Sequence, residues 1–141
     1  MKLFVDTNVL IPFFWKKSAT RNLLSNLGLK LFAPEYALRE INKHESDILR
    51  KAGLSRKEFA ELRKDLCTQF FFVFEEEYKR NLGQALKAPP DPDDADFFAV
   101  AMLLELPIWS NDEELKAQKQ MAVYSTSDLL ELPEFLDALF S

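Results

Sequence analysis

The sequence predicts an α/β protein: a three-layer α/β/α sandwich around a mainly parallel sheet of about five strands. Three observations point there. Short apolar segments alternate with segments of helical pattern along the chain. Most of the apolar segments are apolar throughout, as strands covered on both faces are. The 141 residues are 48% hydrophobic and include 13 Phe, enough to fill the core of one domain spanning residues 1–141 without disulfide staples.

Residues 2–5 (KLFV) read as a short buried strand ending at Asp6. Helical pattern follows Pro12 and continues through residues 19–27, with Gly28 suited to a C-cap. Residues 29–33 (LKLFA) read as a second strand. Pro34 fits the first turn of a helix that runs to about Ala52 and stops at Gly53. Ser55 and Glu58 have capping-box spacing and start a helix to about Cys67. Residues 70–74 (FFFVF) form a third strand, apolar on both faces, and a short helix covers residues 76–86. The loop APPDPDDAD follows, in which Asp91 suits an N-cap and Pro92 the first helical position. That helix runs through FFAVAMLLE into a fourth strand at residues 107–110 (PIWS). Asp112 opens a short helix, residues 122–125 (AVYS) are a fifth strand, and a C-terminal helix past Leu129 is kinked at Pro133.

Charge is unevenly divided. The net charge is −5, yet residues 1–64 carry 13 Lys and Arg against 7 Asp and Glu, while residues 65–141 carry 5 against 16. One half can meet a polyanion while the other supplies carboxylates, or both are ordinary solvated faces. Cys67 is alone, which excludes an internal disulfide and favours a cytoplasmic setting. Asp6 interrupts the first apolar run too early for a signal peptide. No apolar stretch approaches the roughly 20 residues needed to span a bilayer, so no membrane association is expected.

Ligands of open parallel sheets bind beyond the carboxyl ends of the strands. Asp6 ends the first strand, and Asp112 lies just past the fourth. Asp91, Asp93, Asp94 and Asp96 crowd the start of the helix leading into the fourth strand, and Glu40 lies on the helix after the second. Asp91, Asp93, Asp94 and Asp112 also read as caps that complement a helix dipole, and Glu40 as a surface acid beside Arg39 and Lys43. Asp6 is hardest to dismiss, because a carboxylate set among apolar strand residues needs a partner and a metal ion serves. Converging carboxylates repel unless a cation is present, and hard oxygen donors suit Mg²⁺ or Mn²⁺. One His and one Cys exclude a zinc site of Cys/His type, and His44, one turn from Glu40, reads as a surface residue. Three glycines and no GxxxxGK[ST] or GxGxxG exclude a nucleotide-cradling loop.

These residues resemble a family. VDTNVLI at residues 5–11 is similar to the first motif of PIN domains, DDADFFAVAMLL at residues 93–104 to the third, and IWSND at residues 108–112 to the fourth. Aligning the alanines places the third acid on Asp94, and ALREI places the second on Glu40. The resemblance covers essentially the whole chain. It implies an endoribonuclease that prefers single-stranded RNA, with Asp6, Glu40, Asp94 and Asp112 holding one or two Mg²⁺ or Mn²⁺ ions. Asn8 and Ser110 would orient those acids, or else serve as turn and cap residues. Lys16, Lys17, Arg21, Lys43, Arg50 and Lys51 are candidates for the RNA backbone. Many such short proteins are the toxins of toxin–antitoxin pairs and form dimers, which implies an antitoxin partner and a homodimer.

Two other classes are weighed against this. A PIN-like fold acting as a non-catalytic RNA- or protein-binding regulatory module would not need the full set of acids. A phosphotransferase using Asp6 as nucleophile would, in the haloacid-dehalogenase pattern, have a second Asp where Asn8 stands. A receiver domain would carry its phosphoacceptor Asp after the third strand, where Glu75, Glu76 and Glu77 follow instead.

Overall fold

A computed structural model describes residues 1–26, 28–81, 95–118 and 121–140. Five strands, β1 (Lys2–Val5), β2 (Lys30–Pro34), β3 (Phe70–Val73), β4 (Ile108–Trp109) and β5 (Val123–Tyr124), form one sheet in the order β3-β2-β1-β4-β5. All four pairings are parallel. The register sets Leu3 beside Leu31, and Val5 beside Trp109.

The side-chain alternation of β1 explains the layers. Leu3 and Val5 enter one core with Leu10, Phe13, Phe14, Ile41, Phe59 and Phe135. Phe4, pointing the other way, joins a second core with Tyr78, Phe98, Val100 and Leu115. Helices cover both faces, which gives the three-layer α/β/α sandwich expected of strands apolar throughout.

Several elements differ from expectation. The first helix begins at Thr7, directly after Asp6, and passes into a 3-10 turn over Ile11–Phe14 that contains Pro12. Proline supplies no N–H to continue the α-helical ladder, so the chain tightens there. The helix of residues 19–27 is observed over Ala19–Leu24, with Ser25 as its C-cap rather than Gly28. Gly28 is glycine for another reason: a Cβ would lie 1.8 Å from the carbonyl oxygen of Ala138 in the C-terminal helix. The single helix expected over residues 34–52 is two, Glu35–Lys43 and Glu45–Ala52, divided at His44. Gly53, at φ 66°, ends the second in the left-handed region that glycine enters freely.

Ser55 and Glu58 make both bonds of the expected capping box, and the helix runs over Arg56–Gln69. β3 is an edge strand, so only Phe70 and Val73 are buried, while Phe71 is 58% exposed. The helix expected over residues 76–86 is observed as Glu75–Tyr78 followed by a 3-10 turn at Lys79–Asn81; its remainder lies outside the described residues. The described part of the next helix is Ala95–Leu104. Glu113–Ala117 opens after Asp112 as expected. Pro133 does not kink a continuous helix; it starts a separate one, Pro133–Phe140, after the short helix Thr126–Leu129.

Candidate active site

The strand order reverses direction of travel at β1: the chain steps outward to β2 and β3, then returns to the other side of β1 for β4 and β5. The carboxyl ends of β1 and β4 therefore flank the crevice where parallel sheets bind ligands. The backbone ladder extends one residue past each assigned strand, with the Asp6 N–H donating to Trp109 O at 2.9 Å and the Ser110 N–H to Tyr124 O at 3.0 Å. Asp6 and Ser110 are thus carried side by side on rigid backbone.

Asp6 stands at the N-cap of the Thr7–Leu10 helix in an extended conformation, but its side chain makes no cap bond. The backbone carbonyl of Asp6 accepts from the Val9 and Leu10 N–H groups instead. That leaves the carboxylate free to turn toward β4, where Oδ2 accepts from Ser110 Oγ at 2.7 Å. Ser110 is 1% exposed and is the hub of the site. Its hydroxyl donates to Asp6 and accepts from Asn8 Nδ2 at 3.3 Å and from the Asp112 N–H at 3.1 Å. One donor and two acceptor positions are all that a hydroxyl has, so Ser110 is fully used.

Two positions that the sequence reading did not single out complete the network. Asn111 donates its N–H to Asn8 Oδ1 at 3.4 Å, and its Oδ1 accepts from the Thr126 N–H at 2.9 Å. Thr126 Oγ1 in turn accepts from the indole of buried Trp109 at 2.9 Å. The signal for Asn111 was its place in IWSND, where a short amide can bond the backbone of a neighbouring loop. Nothing in the sequence marked Thr126, which opens the helix after β5.

Burial pushes the Asp6 carboxyl above its ordinary range. The bonds from Ser110 and the Thr7 backbone oppose this shift, and the charge of nearby Asp112 adds to it. Asp112 is also a cap, since its Oδ1 accepts from the Glu114 N–H at 2.9 Å and starts the Glu113–Ala117 helix. Capping and proximity to Asp6 therefore coexist in one side chain.

Glu40 lies on the Glu35–Lys43 helix with a side chain 24% exposed, and its Oε2 is 3.6 Å from Nε2 of half-exposed His44. Asp91, Asp93 and Asp94 lie outside the described residues. Asp96 accepts from the hydroxyl of buried Tyr78 at 3.2 Å and so ties two helices together on one face of the sheet. Burial, then the Asp96 charge, pushes the Tyr78 phenol above its usual range. Among the described residues no three acidic, His or Cys side chains converge as a metal-holding set. What the described residues bring together is Asp6, Asn8, Ser110 and Asp112.

The basic candidates divide by what their donors already do. Arg21 gives its guanidinium to the carbonyls of Phe13 and Lys16, holding the turn after the first helix. Arg50 pairs with Asp47 at 3.2 Å in an exposed contact. Lys16, Lys17, Lys43 and Lys51 are exposed.

A family model described as PIN domain matches residues 4–127 of the chain. The match runs from within β1 to the start of the Thr126–Leu129 helix and so contains every residue of the network above. No curated protein matches the chain.

Proposed function

The chain belongs to the PIN-domain family, whose members are in general nucleases that use divalent metal ions, and from that premise we propose that it is a Mg²⁺- or Mn²⁺-dependent endoribonuclease acting on single-stranded RNA. The observation that carries the reading is the meeting of Asp6 and Asp112 at Ser110, on the carboxyl edge of adjacent strands β1 and β4. The donors fit the ion. They are hard carboxylate oxygens, and Asp6 and Asp112 lie close enough for their like charges to act on each other, a repulsion a cation would offset.

In this reading Asp6 and Asp112 would hold the metal, joined by Glu40 and Asp94 as the motif resemblance implies, and the bound ion would supply activation of water and neutralisation of phosphate charge. The chain's own contribution is orientation. Ser110 fixes the Asp6 carboxylate and, by donating to it, favours the ionised form that binds cations. Asn8 holds Ser110 from the opposite side. Exposed Lys16, Lys17, Lys43 and Lys51 meet the phosphate backbone and carry affinity rather than sequence, while Arg50, a candidate for the same role, is paired with Asp47. Arg21 serves that surface indirectly, by holding the turn that presents Lys16 and Lys17.

The resemblance to short PIN proteins that act as toxins supports extending this reading to the toxin of a toxin–antitoxin pair, restrained by an antitoxin and acting as a homodimer in the cytoplasm. Among the described residues no helix is long and apolar enough to cross a membrane.

The test is incubation of labelled single-stranded RNA with the protein in Mn²⁺ or Mg²⁺. Internal cleavage is expected, lost on chelation, with an affinity that falls steeply as salt rises. RNA that is bound yet never cut with either ion would instead support a binding module.

Ser110→Ala gives a finer result. Loss of an orienting partner is expected to lower metal affinity or activity by about 10- to 100-fold. It also removes a bond that lowers the Asp6 pKa, so the acid limb of the pH–rate profile should move to higher pH. An unchanged profile would mean that Ser110 only shapes the loop.

A further inference from the structure

We propose that the slot beside Glu40, formed between the turn after the first helix and the Glu45–Ala52 helix, takes one unpaired base of the RNA substrate by stacking on Trp15. This deepens the nuclease reading above and rests on it.

The slot has a volume of about 180 Å³ and is lined by Ile11, Trp15, His44, Asp47, Ile48 and Lys51. Ile11 and Ile48 give it an apolar floor, and Ile48 is 2% exposed. Trp15 is half-buried, while His44, Asp47 and Lys51 are exposed and form the rim. An apolar floor with a few polar groups at the mouth is the usual build of a ligand site. At this size, below the roughly 300 Å³ typical of drug-sized ligands, it admits a flat ring and leaves the sugar and phosphate outside.

Its position connects it to the carboxylates. Asp6 leads directly into the Thr7–Leu10 helix, and the next turn ends at Trp15, whose N–H donates to Pro12 O at 3.1 Å. The first helix packs on Glu35–Lys43, which carries Glu40, and the turn packs on Glu45–Ala52. His44, on the rim, is the residue that contacts Glu40 at 3.6 Å. The slot and the carboxylates are thus linked through the first helix and the Glu35–Lys43 helix, and in the proposed complex one RNA strand lies across both.

The chemistry favours a base over a protein side chain. Among the slot's charged rim groups, Asp47 is paired with Arg50, while Lys51 is a cation at the mouth. Lys17 and Lys43 are exposed next in sequence to Lys16 and His44, while Lys16 lies beside Glu58, so the attraction for a phosphate at the mouth rests first on Lys51. An indole face accepts any base, and single-stranded RNA is the form whose bases are free to leave a stack. Lys51 would then meet the phosphate of the same nucleotide.

The experiment is a two-by-two comparison of binding, in Ca²⁺ to suppress cleavage. Wild type and Trp15→Leu are titrated with a short fluorescein-labelled single-stranded RNA, and with versions carrying an abasic sugar at each position in turn. For wild type, one abasic position should weaken binding about 5- to 100-fold, the range expected for one stacked base. Trp15→Leu should weaken binding of intact RNA by a similar factor and be insensitive to that abasic position. Trp15→Phe, which keeps an aromatic face, should recover most of the affinity. The buried Trp109 is shielded, so quenching of wild-type fluorescence on RNA addition reports Trp15. If wild type cleaves RNA in Mn²⁺ but no abasic position couples to Trp15, the slot does not hold a base and the nuclease reading stands. If Trp15→Leu binds every RNA as wild type does, the slot belongs to a protein partner or to none, and the proposal fails. If wild type neither binds nor cleaves RNA, both readings fall.

Discussion

Asp6→Asn is expected to abolish Mn²⁺-dependent cleavage, by at least about a thousandfold, while raising the melting temperature of the metal-free protein at neutral pH. The first effect follows, on the proposed nuclease reading, from losing a metal ligand, whose charge stabilisation amounts to several kcal/mol, with each ~1.4 kcal/mol worth a factor of ten. The second follows from the sign of the pKa shift. Burial and the charge of Asp112 raise the Asp6 pKa in the folded state. A carboxyl shifted upward stabilises the fold where it is protonated, and that contribution is lost as pH rises through its folded-state pKa. At neutral pH the ionised group therefore opposes folding, and asparagine removes the charge while still accepting from Ser110 Oγ. Added Mn²⁺ should reverse the order, stabilising wild type by binding its folded state and leaving the variant unmoved. Cleavage by the variant at the wild-type rate would remove Asp6 from the site. Melting curves in chelator and in Mn²⁺, beside a cleavage assay, check all three results.

Asp94→Asn and Asp96→Asn are expected to fail in opposite ways. Asp94 is the ligand that the motif alignment proposes, so its amide variant should lose Mn²⁺ binding and activity about as completely as Asp6→Asn. Asp96 accepts the hydroxyl of buried Tyr78. Its amide variant should keep Mn²⁺ binding and most activity, yet lose about 1 kcal/mol of stability through a weakened hydrogen bond. Calorimetric titration with Mn²⁺, together with denaturant melts of both variants, separates the two. A stable but inactive Asp96→Asn, beside an active Asp94→Asn, would shift the third motif by two residues and move the ligand to the other aspartate.

The fold class was legible in the sequence because it rests on local composition. Strands covered on both faces are largely apolar, and KLFV and LKLFA show this without reference to any partner; FFFVF reads the same way, yet as the edge strand it leaves Phe71 exposed. The capping box at Ser55 and the stop at Gly53 were legible for the same reason, since each is a bond or a dihedral angle settled within a few residues. The first helix was placed too late, because Pro12 was read as a start signal when the chain instead passes through it as a 3-10 turn. The break at His44 was missed: no proline or glycine marks it, and the two helices it divides pack on different neighbours.

The candidates that meet in the structure were already legible in the sequence: Asp6 and Asp112 as acids after two apolar strands, with Asn8 and Ser110 beside them. Which of them meet was decided only by tertiary structure. β4 returns to lie against β1, so residues more than a hundred positions apart share the Ser110 hydroxyl. Thr126 joins through a connection whose sequence carries no sign of it. Asp96 was one acid among several in DPDDAD until the packing of its helix set it against Tyr78. Local pattern determines which segments are strands and which residue types end them. Strand order, a matter of how the apolar faces are buried together, determines which of those ends become neighbours.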